Sequence, residues 1–508
     1  MYSSVNTAML DGISSVSVQV EVDVSNGLPM FDMVGNLSSE VREAKERVRT
    51  ALHNCGIIMP PKRITMNMSP GEIKKSGTGF DLPIAIGLLH AMGLVGYEGC
   101  QNRLFIGELN LNGRILPVNG VLPIVSDGVK RGIKEFVVPL ANAGEATLVS
   151  GAIIYAFEDL RELIDFLNGR KAKPFEAGAI AKKEKGYTMD FAEVNGQVFL
   201  KRACEISAAG MHNMLLIGPP GAGKTMLAER LATIMPSMTE EESLELSKIY
   251  SVCGMLDSEL SLIKERPFRS PHHTTTRAGL LGGGANPKPG EVSLAHNGVL
   301  FLDEFPEFQK SVIEVLRQPL ESRKINLIRG NRRVEFPADF LLLVAMNPCN
   351  CGYYPDTQKC RCTAAEIHRY LGRLSQPIID RIDICVEAPV LKYNEIIRTG
   401  QNKSSAEIRQ GVERCNQIQK ERYKNENFLH NSQIPASLLG KYCKLDAKEQ
   451  NYMENIYEKM GLTARTYHKI LRVARTIADL EGEEQIMLKH LNEAVCYRSI
   501  DDKFWGGV

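Results

Sequence analysis

The sequence lacks the features that would assign it to a membrane or to the secretory route. Its 508 residues contain no run of 18 or more apolar residues, so no membrane-spanning helix is predicted. The first residues, MYSSVNTAMLDGISSV, do not place a long apolar stretch after a basic one, so no secretory signal is predicted. We therefore expect a cytoplasmic protein with no membrane partner.

Net charge is also nearly absent. The 61 basic and 60 acidic residues leave a formal net charge of +1, so no global field attracts nucleic acid. Any such binding must come from local basic patches. The twelve cysteines are scattered, and several lie in apolar segments. This pattern is typical of a reduced chain and not of a disulfide framework.

The chain is too long for a single hydrophobic core, and its pattern divides it into parts. Residues 1–167 alternate β-rich and helical runs, which predicts an N-terminal α/β domain. In this part, residues 16–25 alternate apolar and polar residues like a half-buried strand, and Ser38 is the predicted cap of a helix. Residues 168–190 are rich in Lys, Ala and Gly and are interpreted as a linker. Residues 191–389 have the pattern of a nucleotide-binding α/β domain that begins with a helix at Phe191, and residues 390–508 that of a helical lid domain. The predicted fold class is α/β.

The most specific motif is the segment GPPGAGKT, which matches the phosphate-binding loop pattern in full. It follows an apolar strand, NMLLI, and opens a helix, so backbone N–H groups would converge on phosphates at a helix N-terminus. Lys224 would reach the β- and γ-phosphates, and the Thr225 hydroxyl would bind Mg²⁺. The predicted ATP-binding residues are Gly218, Pro219, Pro220, Gly221, Ala222, Gly223, Lys224 and Thr225.

Two further strands end in polar residues that suit the same site. The apolar strand in GVLFLDE ends in Asp303, which would hold Mg²⁺ through water, and Glu304, which would act as general base for the attacking water. The strand in FLLLVAMNP ends at Asn347, whose amide would orient that water. A helix or turn cap is the alternative role for Asn347.

Two long segments carry a resemblance to a known family. Residues 266–308 (RPFRSPHHTTTRAGLLGGGANPKPGEVSLAHNGVLFLDEFPEF), with NPCNCGYYPD and CRCTAAEIHRYLGRLSQPIIDRIDI within residues 347–384, resemble the magnesium-chelatase-like AAA+ ATPases. The full chain is similar to the YifB/ComM family. The resemblance implies a homo-oligomeric ring, a hexamer, with ATP between subunits, and an activity like that of DNA branch-migration helicases in natural transformation. The magnesium-chelatase motors share this core but drive metal insertion.

Two arginine roles follow from this resemblance. Arg381 lies between two acids in IIDRID and would be an arginine finger for a neighbouring subunit's ATP. The alternative is a structural arginine paired with Asp380 or Asp383. Arg465, early in a predicted C-terminal helix, would be the second sensor of the nucleotide.

The N-terminal domain resembles the proteolytic domain of Lon, with a departure. In the segment KKSGTGFDLP, Thr78 stands where the Lon-like proteases carry their catalytic serine. In NGVLPI, Leu122 stands where they carry the catalytic lysine. A hydroxyl nucleophile needs an adjacent base, so the domain is interpreted as a non-proteolytic scaffold for ring assembly or partner binding.

Two insertions are candidates for DNA contact. In residues 269–292, Gly and Pro predict an exposed hairpin or loop and not a core element. Its positive or hydrogen-bonding side chains are His272, His273, Arg277 and Lys288. In residues 322–340, two strand-like runs flank RGNR and predict a hairpin that the resemblance places in the ring's pore. Its arginines would meet DNA phosphates, and the scarcity of aromatics argues against base stacking. They are Arg329, Arg332 and Arg333. A solvated surface hairpin is the alternative.

A group of four cysteines follows the third strand. Cys349, Cys351, Cys360 and Cys362 form two C-x-C pairs separated by a polar loop. Four thiolates would hold a structural Zn²⁺ in a tetrahedron, although C-x-C is tighter than the common spacing. A set of reduced thiols without metal is the alternative.

These observations leave three functions open. The leading one is an ATP-driven motor of the ComM type that moves on DNA, with ATP and Mg²⁺ as cofactors. The second is a chelatase-type motor subunit that acts with partner subunits. The third is a regulatory ATPase that remodels a protein bound to its N-terminal domain.

Overall fold

The computed structural model describes most of the chain. The described residues are 1–176, 186–256, 262–284, 286–329, 332–390, 402–498 and 500–505, of which 329, 332, 501 and 502 are described by backbone alone. The tip of the predicted arginine hairpin (residues 330–331) and much of the predicted linker lie outside them. Within this part, no helix is long and apolar enough to span a bilayer.

In the described residues, the strands form two large sheets and three two-stranded pairs. In chain order they are β1 (Tyr2–Asp11), β2 (Ser14–Ser25), β3 (Met30–Val34), β4 (Arg63–Ser69), β5 (Arg103–Phe105), β6 (Glu108–Leu109), β7 (Ile115–Leu116), β8 (Glu135–Pro139), β9 (Ile153–Phe157), β10 (Met214–Ile217), β11 (Phe268–Arg269), β12 (Gly282–Gly283), β13 (Lys288–Pro289), β14 (Val299–Leu302), β15 (Lys324–Arg329), β16 (Arg332–Pro337), β17 (Leu341–Met346) and β18 (Ile384–Glu387).

The α-helices pack on these sheets and make up most of the C-terminal part. They are α1 (Ser39–Asn54), α2 (Asp81–Ala91), α3 (Tyr97–Cys100), α4 (Val121–Lys130), α5 (Ala143–Ala146), α6 (Leu160–Leu167), α7 (Val198–Gly210), α8 (Lys224–Ile234), α9 (Glu240–Cys253), α10 (Arg277–Leu281), α11 (Glu291–Leu294), α12 (Lys310–Glu314), α13 (Arg317–Ser322), α14 (Ala364–Leu371), α15 (Gln376–Ile379), α16 (Ser405–Arg422), α17 (Leu439–Tyr442), α18 (Ala447–Lys459), α19 (Ala464–Glu481), α20 (Leu488–Cys496) and α21 (Ile500–Phe504).

The N-terminal sheet is mixed, in the order β3-β4-β2-β1-β5-β8-β9. The predicted alternation in β2 is present: Val18, Val20 and Val22 are buried on one face. Helix α1 begins at its predicted cap, because the Ser38 hydroxyl accepts a hydrogen bond from the Val41 N–H. Two apolar clusters, one on each face of the sheet, form the core of this part.

The second large sheet is parallel throughout, in the order β11-β14-β17-β10-β18. Its inner strands are completely buried, as the apolar runs predict. All carboxyl ends of parallel strands meet at one edge, where open α/β sheets bind their ligands. We call this end of the sheet the carboxyl edge. The phosphate-binding loop, Asp303 and Asn347 lie there, because each follows directly after the last residue of a strand.

Two local expectations need correction. A helix was expected from Phe191, but only a 3-10 turn (Phe191–Glu193) lies there, and α7 begins at Val198. Positive φ angles at Gly196 (62°) and Gln197 (50°) interrupt a helix at that point. The first insertion is predicted to be an exposed hairpin or loop outside the core. It contains a short antiparallel pair, β12 with β13, but Leu280 and Leu281 at the end of α10 are buried in the ATPase core. Their apolar side chains contribute more when packed than when solvated.

The N-terminal domain lies against the ATPase domain through α4 and α9. The Gly120 N–H donates to the Ser251 carbonyl at 3.0 Å, and the Ser251 hydroxyl donates to Glu145. A second contact reaches the base of the arginine hairpin: a Cβ on Gly12 would lie 3.1 Å from a methyl group of Val334. The N-terminal domain therefore packs against the hairpin as well as against α9.

Candidate active site

The phosphate-binding loop connects β10 to α8, as its motif predicts. Gly221 and Gly223 have φ angles of 77° and 78°, in the left-handed region that suits glycine and turns successive N–H groups inward. Helix α8 begins at Lys224 directly after Gly223. The N-terminus of a helix of 11 residues thus faces the loop and favours an anion there.

Lys224 and Asn347 meet at the carboxyl edge of the sheet. The Lys224 ammonium donates to Oδ1 of Asn347 at 3.2 Å and to the carbonyls of Gly218 and Pro219 at 2.7 and 3.0 Å. Burial lowers the pKa of Lys224, while the nearby Asp303 and Glu304 carboxylates act in the opposite direction. The site therefore holds a partly desolvated cation that a phosphate would compensate.

Thr225 and Asp303 provide adjacent oxygen atoms. The Thr225 hydroxyl donates to Oδ2 of Asp303 at 2.8 Å. Neighbouring ligands of an octahedral Mg²⁺ with bonds of about 2.1 Å are about 3 Å apart. Thr225 is thus placed as a hydroxyl ligand of this ion, with the Asp303 carboxylate close enough to hold it through a bound water. The residues present fit ATP with Mg²⁺.

Glu304 adopts an uncommon backbone conformation, with φ 49° and ψ 43°. Non-glycine residues rarely occupy this left-handed region, and such strain is found at functional sites. Here it turns the side chain out of the buried strand β14, so that 60% of it is exposed. A carboxylate in this position is accessible to water beside the phosphate-binding loop.

Two contacts of this site were not predicted from the sequence. Nδ1 of His273, in the first insertion, lies 3.6 Å from Oε2 of Glu304. The buried Gln197 side chain donates to the carbonyl of Ala222 inside the phosphate-binding loop. Gln197 belongs to no quoted motif, and His273 lies in the segment that carries the family resemblance, but the sequence assigns neither of them a partner in the ATP site. No sequence signal links these residues to positions about 30 residues away.

Arg381 lies at the opposite, amino edge of the parallel sheet. Asn213, which directly precedes β10, donates from its amide to the Arg381 carbonyl at 2.9 Å. The phosphate-binding loop follows the other end of β10, and five residues of strand span roughly 16 Å. Arg381 therefore belongs to a different surface from its own chain's phosphate-binding loop.

The partners of Arg381 differ from both structural alternatives. Its guanidinium donates to Glu321 and to the Pro377 carbonyl. Asp380 instead accepts from Arg465 at 3.0 Å, and Asp383 is paired with the buried His212. The alternative in which Arg381 pairs with Asp380 or Asp383 is therefore wrong, because those acids are paired with Arg465 and His212.

Arg465 shares the surface of Arg381. It is the second residue of α19, and 73% of its side chain is exposed. The ion pair with Asp380 brings it next to Arg381, although 84 positions separate the two in sequence. Both arginines predicted to sense ATP thus lie together at the amino edge.

The predicted hairpin is present. Strands β15 and β16 pair antiparallel, with Arg329 opposite Arg332 at the last described pair before the tip. The side chains of Arg329 and Arg332 lie outside the described residues. Arg333 is exposed and donates to Oδ1 of Asn326 across the hairpin at 3.1 and 3.2 Å. A basic, two-stranded arm therefore extends from the sheet.

The two other basic candidates lie elsewhere. Arg277 is exposed at the first turn of α10. Lys288 is exposed in β13 but lines a pocket that also contains Thr78 and Glu108 of the N-terminal domain and Val334 of the hairpin. Lys288 therefore faces the domain contact and not the hairpin tip.

This pocket contains Ser76 and Thr78, from the segment that resembles the catalytic loop of the Lon-like proteases. The Thr78 hydroxyl donates to Glu108, and the Leu122 side chain is completely buried in α4. Lys75 is also buried, and its ammonium donates to the Pro70 carbonyl. Desolvation lowers the pKa of Lys75. The Thr78 hydroxyl thus has a carboxylate as its partner, and the Lys75 ammonium is bonded to a backbone carbonyl.

The four cysteines converge. Each offers a sulfur atom within 4.8 Å of the other three, and among the described residues this is the one such cluster of potential ligands. Cys349 is completely buried, and the others are partly exposed. The sequence spacing is thus compatible with one four-thiolate site.

Family models match the chain in three segments. Residues 20–142 match subunit ChlI of magnesium chelatase, and residues 190–396 match the family described as magnesium chelatase, subunit ChlI. Residues 402–498 match the C-terminal region of the same subunit. The three matches cover the N-terminal sheet without β1, the start of β2 and β9, the whole parallel sheet, and the C-terminal helices α16 to α20.

Similar proteins extend over nearly the whole chain. The chain is 42% identical over 497 residues to competence protein ComM of Haemophilus influenzae, covering 96% of each protein. It is 39% identical over 504 residues to the uncharacterized protein YifB of Escherichia coli, covering 98% of this chain and 97% of that one. It is also 29% identical over 147 residues to Lon protease 2 of Bacillus subtilis, covering 27% and 26%.

Proposed function

The chain belongs to the YifB/ComM family of magnesium-chelatase-like ATPases, and we propose that it is an ATP-hydrolysing ring motor that acts on DNA. The relative at 42% identity is named a competence protein. We extend that role to this chain as a branch-migration helicase used in recombination during natural transformation. The ATPase part rests on one observation, the meeting of side chains from three strand ends at the carboxyl edge.

Each of these side chains has a distinct role in the proposed reaction. Lys224 neutralises the β- and γ-phosphates, and Thr225 with Asp303 holds Mg²⁺. Glu304 takes a proton from the attacking water, and Asn347 orients that water. Bound Mg²⁺ would supply charge neutralisation on the phosphate oxygens. Asn347 is already within hydrogen-bond distance of Lys224, which supports a place beside the γ-phosphate.

The arginines support a ring. Arg381 and Arg465 lie at the amino edge, away from their own phosphate-binding loop, and Arg465 is largely exposed. In a head-to-tail ring, the amino edge of one subunit faces the carboxyl edge of the next. We propose that both arginines contact the neighbour's ATP and stabilise the charge of the transition state, and that the ring is a hexamer.

DNA is proposed as the substrate because of the hairpin. Its three arginines end a two-stranded arm whose base packs in the ATPase core: Ile325 and Phe336 are completely buried. A rigid base with a basic tip suits contact with a phosphate backbone, independent of sequence. Because the formal net charge of the chain is only +1, we propose that this local basic patch, and not the overall charge, supplies the main electrostatic attraction for DNA.

A chelatase-type or partner-remodelling motor is the second candidate function. It is favoured by the three magnesium-chelatase matches and by the pocket between the N-terminal domain and the ATPase insertion. Such a motor would use the same ATP site but would respond to a partner protein and not to DNA.

The test is the ATPase rate of the purified full chain with no DNA, with single strands, with duplexes and with four-way junctions. We expect stimulation by DNA, strongest with branched forms, and movement of the branch only with hydrolysable ATP. Hydrolysis that is indifferent to every DNA form would exclude the motor on DNA and favour the second function. Lys224→Ala, which should abolish turnover, controls for contaminating ATPases.

A further inference from the structure

The sulfur atoms of the four-cysteine cluster (Cys349, Cys351, Cys360, Cys362) have the spacing of a metal tetrahedron. Sγ of Cys349 lies 3.3 Å from that of Cys351 and 3.8 Å from that of Cys360, and the Cys351–Cys360 distance is 3.6 Å. Four sulfurs around Zn²⁺ at about 2.3 Å are about 3.8 Å apart. These three distances lie within about half an ångström of that spacing, and Sγ of Cys362 lies within 4.8 Å of the other three sulfurs.

Backbone N–H groups are directed at these sulfurs. The Tyr354 N–H donates to Sγ of Cys349 at 3.4 Å. Backbone N–H groups of Tyr353 and Arg361 also donate to Sγ of Cys351. Such donors stabilise thiolates, the form that binds metal. Four sulfur ligands select zinc or iron over the hard cations.

The cluster is built directly onto the ATP site. Cys349 follows Asn347 by two residues, and Asn347 accepts a hydrogen bond from Lys224. On the other side, Gly352 has a φ of 84° and approaches the phosphate-binding loop so closely that a Cβ there would lie 2.5 Å from Cδ of Pro220. The loop that carries the cysteines thus touches the phosphate-binding loop at two places.

We propose that the four cysteines bind one Zn²⁺ ion, and that the ion holds Asn347 and Gly352 against the phosphate-binding loop so that nucleotide binding depends on the metal. Without the ion, four thiols from one short irregular segment have no common partner to hold them together, and the segment gains conformational freedom. The phosphate-binding loop then loses its packing on Gly352. This inference rests on the ATP-binding role proposed above.

Metal content tests the site without reference to activity. The full chain, purified without chelators, should contain about one zinc per chain by elemental analysis. Cys351→Ser and Cys362→Ser should lose it. Cys496→Ser, an exposed cysteine on α20, is the matched control and should retain it. Absence of zinc, or iron in its place, would overturn the proposal.

Nucleotide affinity tests the dependence. Binding of a fluorescent ATP analogue should weaken by about tenfold or more in Cys351→Ser, as expected when the support of a site is removed. Lys224→Ala should lose the nucleotide but keep its zinc. A wild-type protein that contains zinc but binds no ATP would defeat the proposed ATP site alone. Unchanged ATP affinity after zinc loss would defeat this inference alone.

A second variant covers the case in which loss of a cysteine unfolds the segment. Gly352→Ala keeps all four ligands but forces a Cβ against Pro220. It should retain its zinc and still weaken nucleotide binding about tenfold. Gly440→Ala, at a glycine with open space around it, is the control and should change neither. Wild-type nucleotide affinity in Gly352→Ala would show that the contact between Gly352 and the phosphate-binding loop does not link the metal site to nucleotide binding.

Discussion

Nδ1 of His273 lies 3.6 Å from Oε2 of Glu304, so a loop of the first insertion contacts the proposed general base. One-third of the His273 side chain is exposed, and its ring lies 4.0 Å from that of His272 between centroids. A carboxylate engaged by an imidazole is less available to a water molecule than one that is unengaged. The insertion is thus placed to influence hydrolysis directly.

We expect His273→Ala to raise the ATPase rate measured without DNA. The contact is largely exposed, and pairs of this kind are worth about 0.2–1 kcal/mol, so the increase should be up to about fivefold. His272→Ala is the control, because His272 bonds to Thr274 and not to Glu304. Equal rates in wild type and His273→Ala would mean that the contact does not restrain the base.

Glu304→Gln should bind ATP normally and hydrolyse it poorly. The amide keeps the size of the side chain but cannot accept the proton, and loss of a general base costs about 10²–10⁴-fold in rate. Turnover and equilibrium ATP binding measured together check this. Glu307→Gln, at a nearby exposed acid that pairs with Arg373, should keep the wild-type rate. Normal turnover by Glu304→Gln would assign the base elsewhere.

Mixing inactive variants should restore activity in a pattern set by the two edges of the sheet. Lys224→Ala mixed with Arg381→Ala should regain hydrolysis, because some interfaces then combine an intact phosphate-binding loop with an intact arginine. Arg465→Ala should behave like Arg381→Ala, since Arg465 lies on the same surface. The ATPase rate of the mixtures, with ring size from light scattering, measures this.

The control mixture is Lys224→Ala with Glu304→Gln. Both residues serve the ATP site of their own chain, so every site in a mixed ring carries one defect and no activity should return. Restoration in this control, or full activity from a monomer, would contradict the shared-site arrangement.

Replacing Arg329, Arg332 and Arg333 together with alanine should weaken DNA binding and leave basal ATPase intact. If each arginine neutralises a phosphate, the slope of log affinity against log salt should flatten by roughly 0.9 per contact on duplex DNA. DNA stimulation and branch movement should fall as well. Binding titrations at several salt concentrations measure the slope.

A matched variant removes three positive charges elsewhere. Arg42, Arg49 and Lys448 are exposed residues of α1 and α18, away from the hairpin. Their triple alanine variant should keep the wild-type salt slope. An equal slope in the hairpin variant, with an unchanged melting curve, would make the hairpin a solvated surface feature and remove the main reason to choose DNA.

The N-terminal domain should show no peptidase activity. Thr78 is paired with Glu108, Leu122 occupies the position of the catalytic lysine, and the Lys75 ammonium donates to a backbone carbonyl. Digestion of casein by the full chain, with Thr78→Ala and Ser76→Ala as references, checks this. Activity that persists through purification and disappears in either variant would overturn the scaffold interpretation.

The sequence by itself determined those features that depend on interactions between residues close together along the chain. The phosphate-binding loop is eight consecutive residues between an apolar strand and a helix, and its anion site is made from its own backbone. Asp303 and Asn347 could be assigned to the same edge because each follows a buried strand of a parallel sheet. The arginine hairpin could also be predicted from local sequence, because two β-rich runs flank a turn signal.

The tertiary structure decided which side chains from separate segments meet. In the folded chain, Arg465 forms an ion pair with Asp380, and Arg381 donates a hydrogen bond to Glu321. His273 lies beside Glu304. The tertiary structure also buried Leu280 and Leu281 of a segment that composition assigns to solvent. These contacts depend on how strands and helices pack across tens to hundreds of residues, and neither periodicity nor motif spacing encodes that packing.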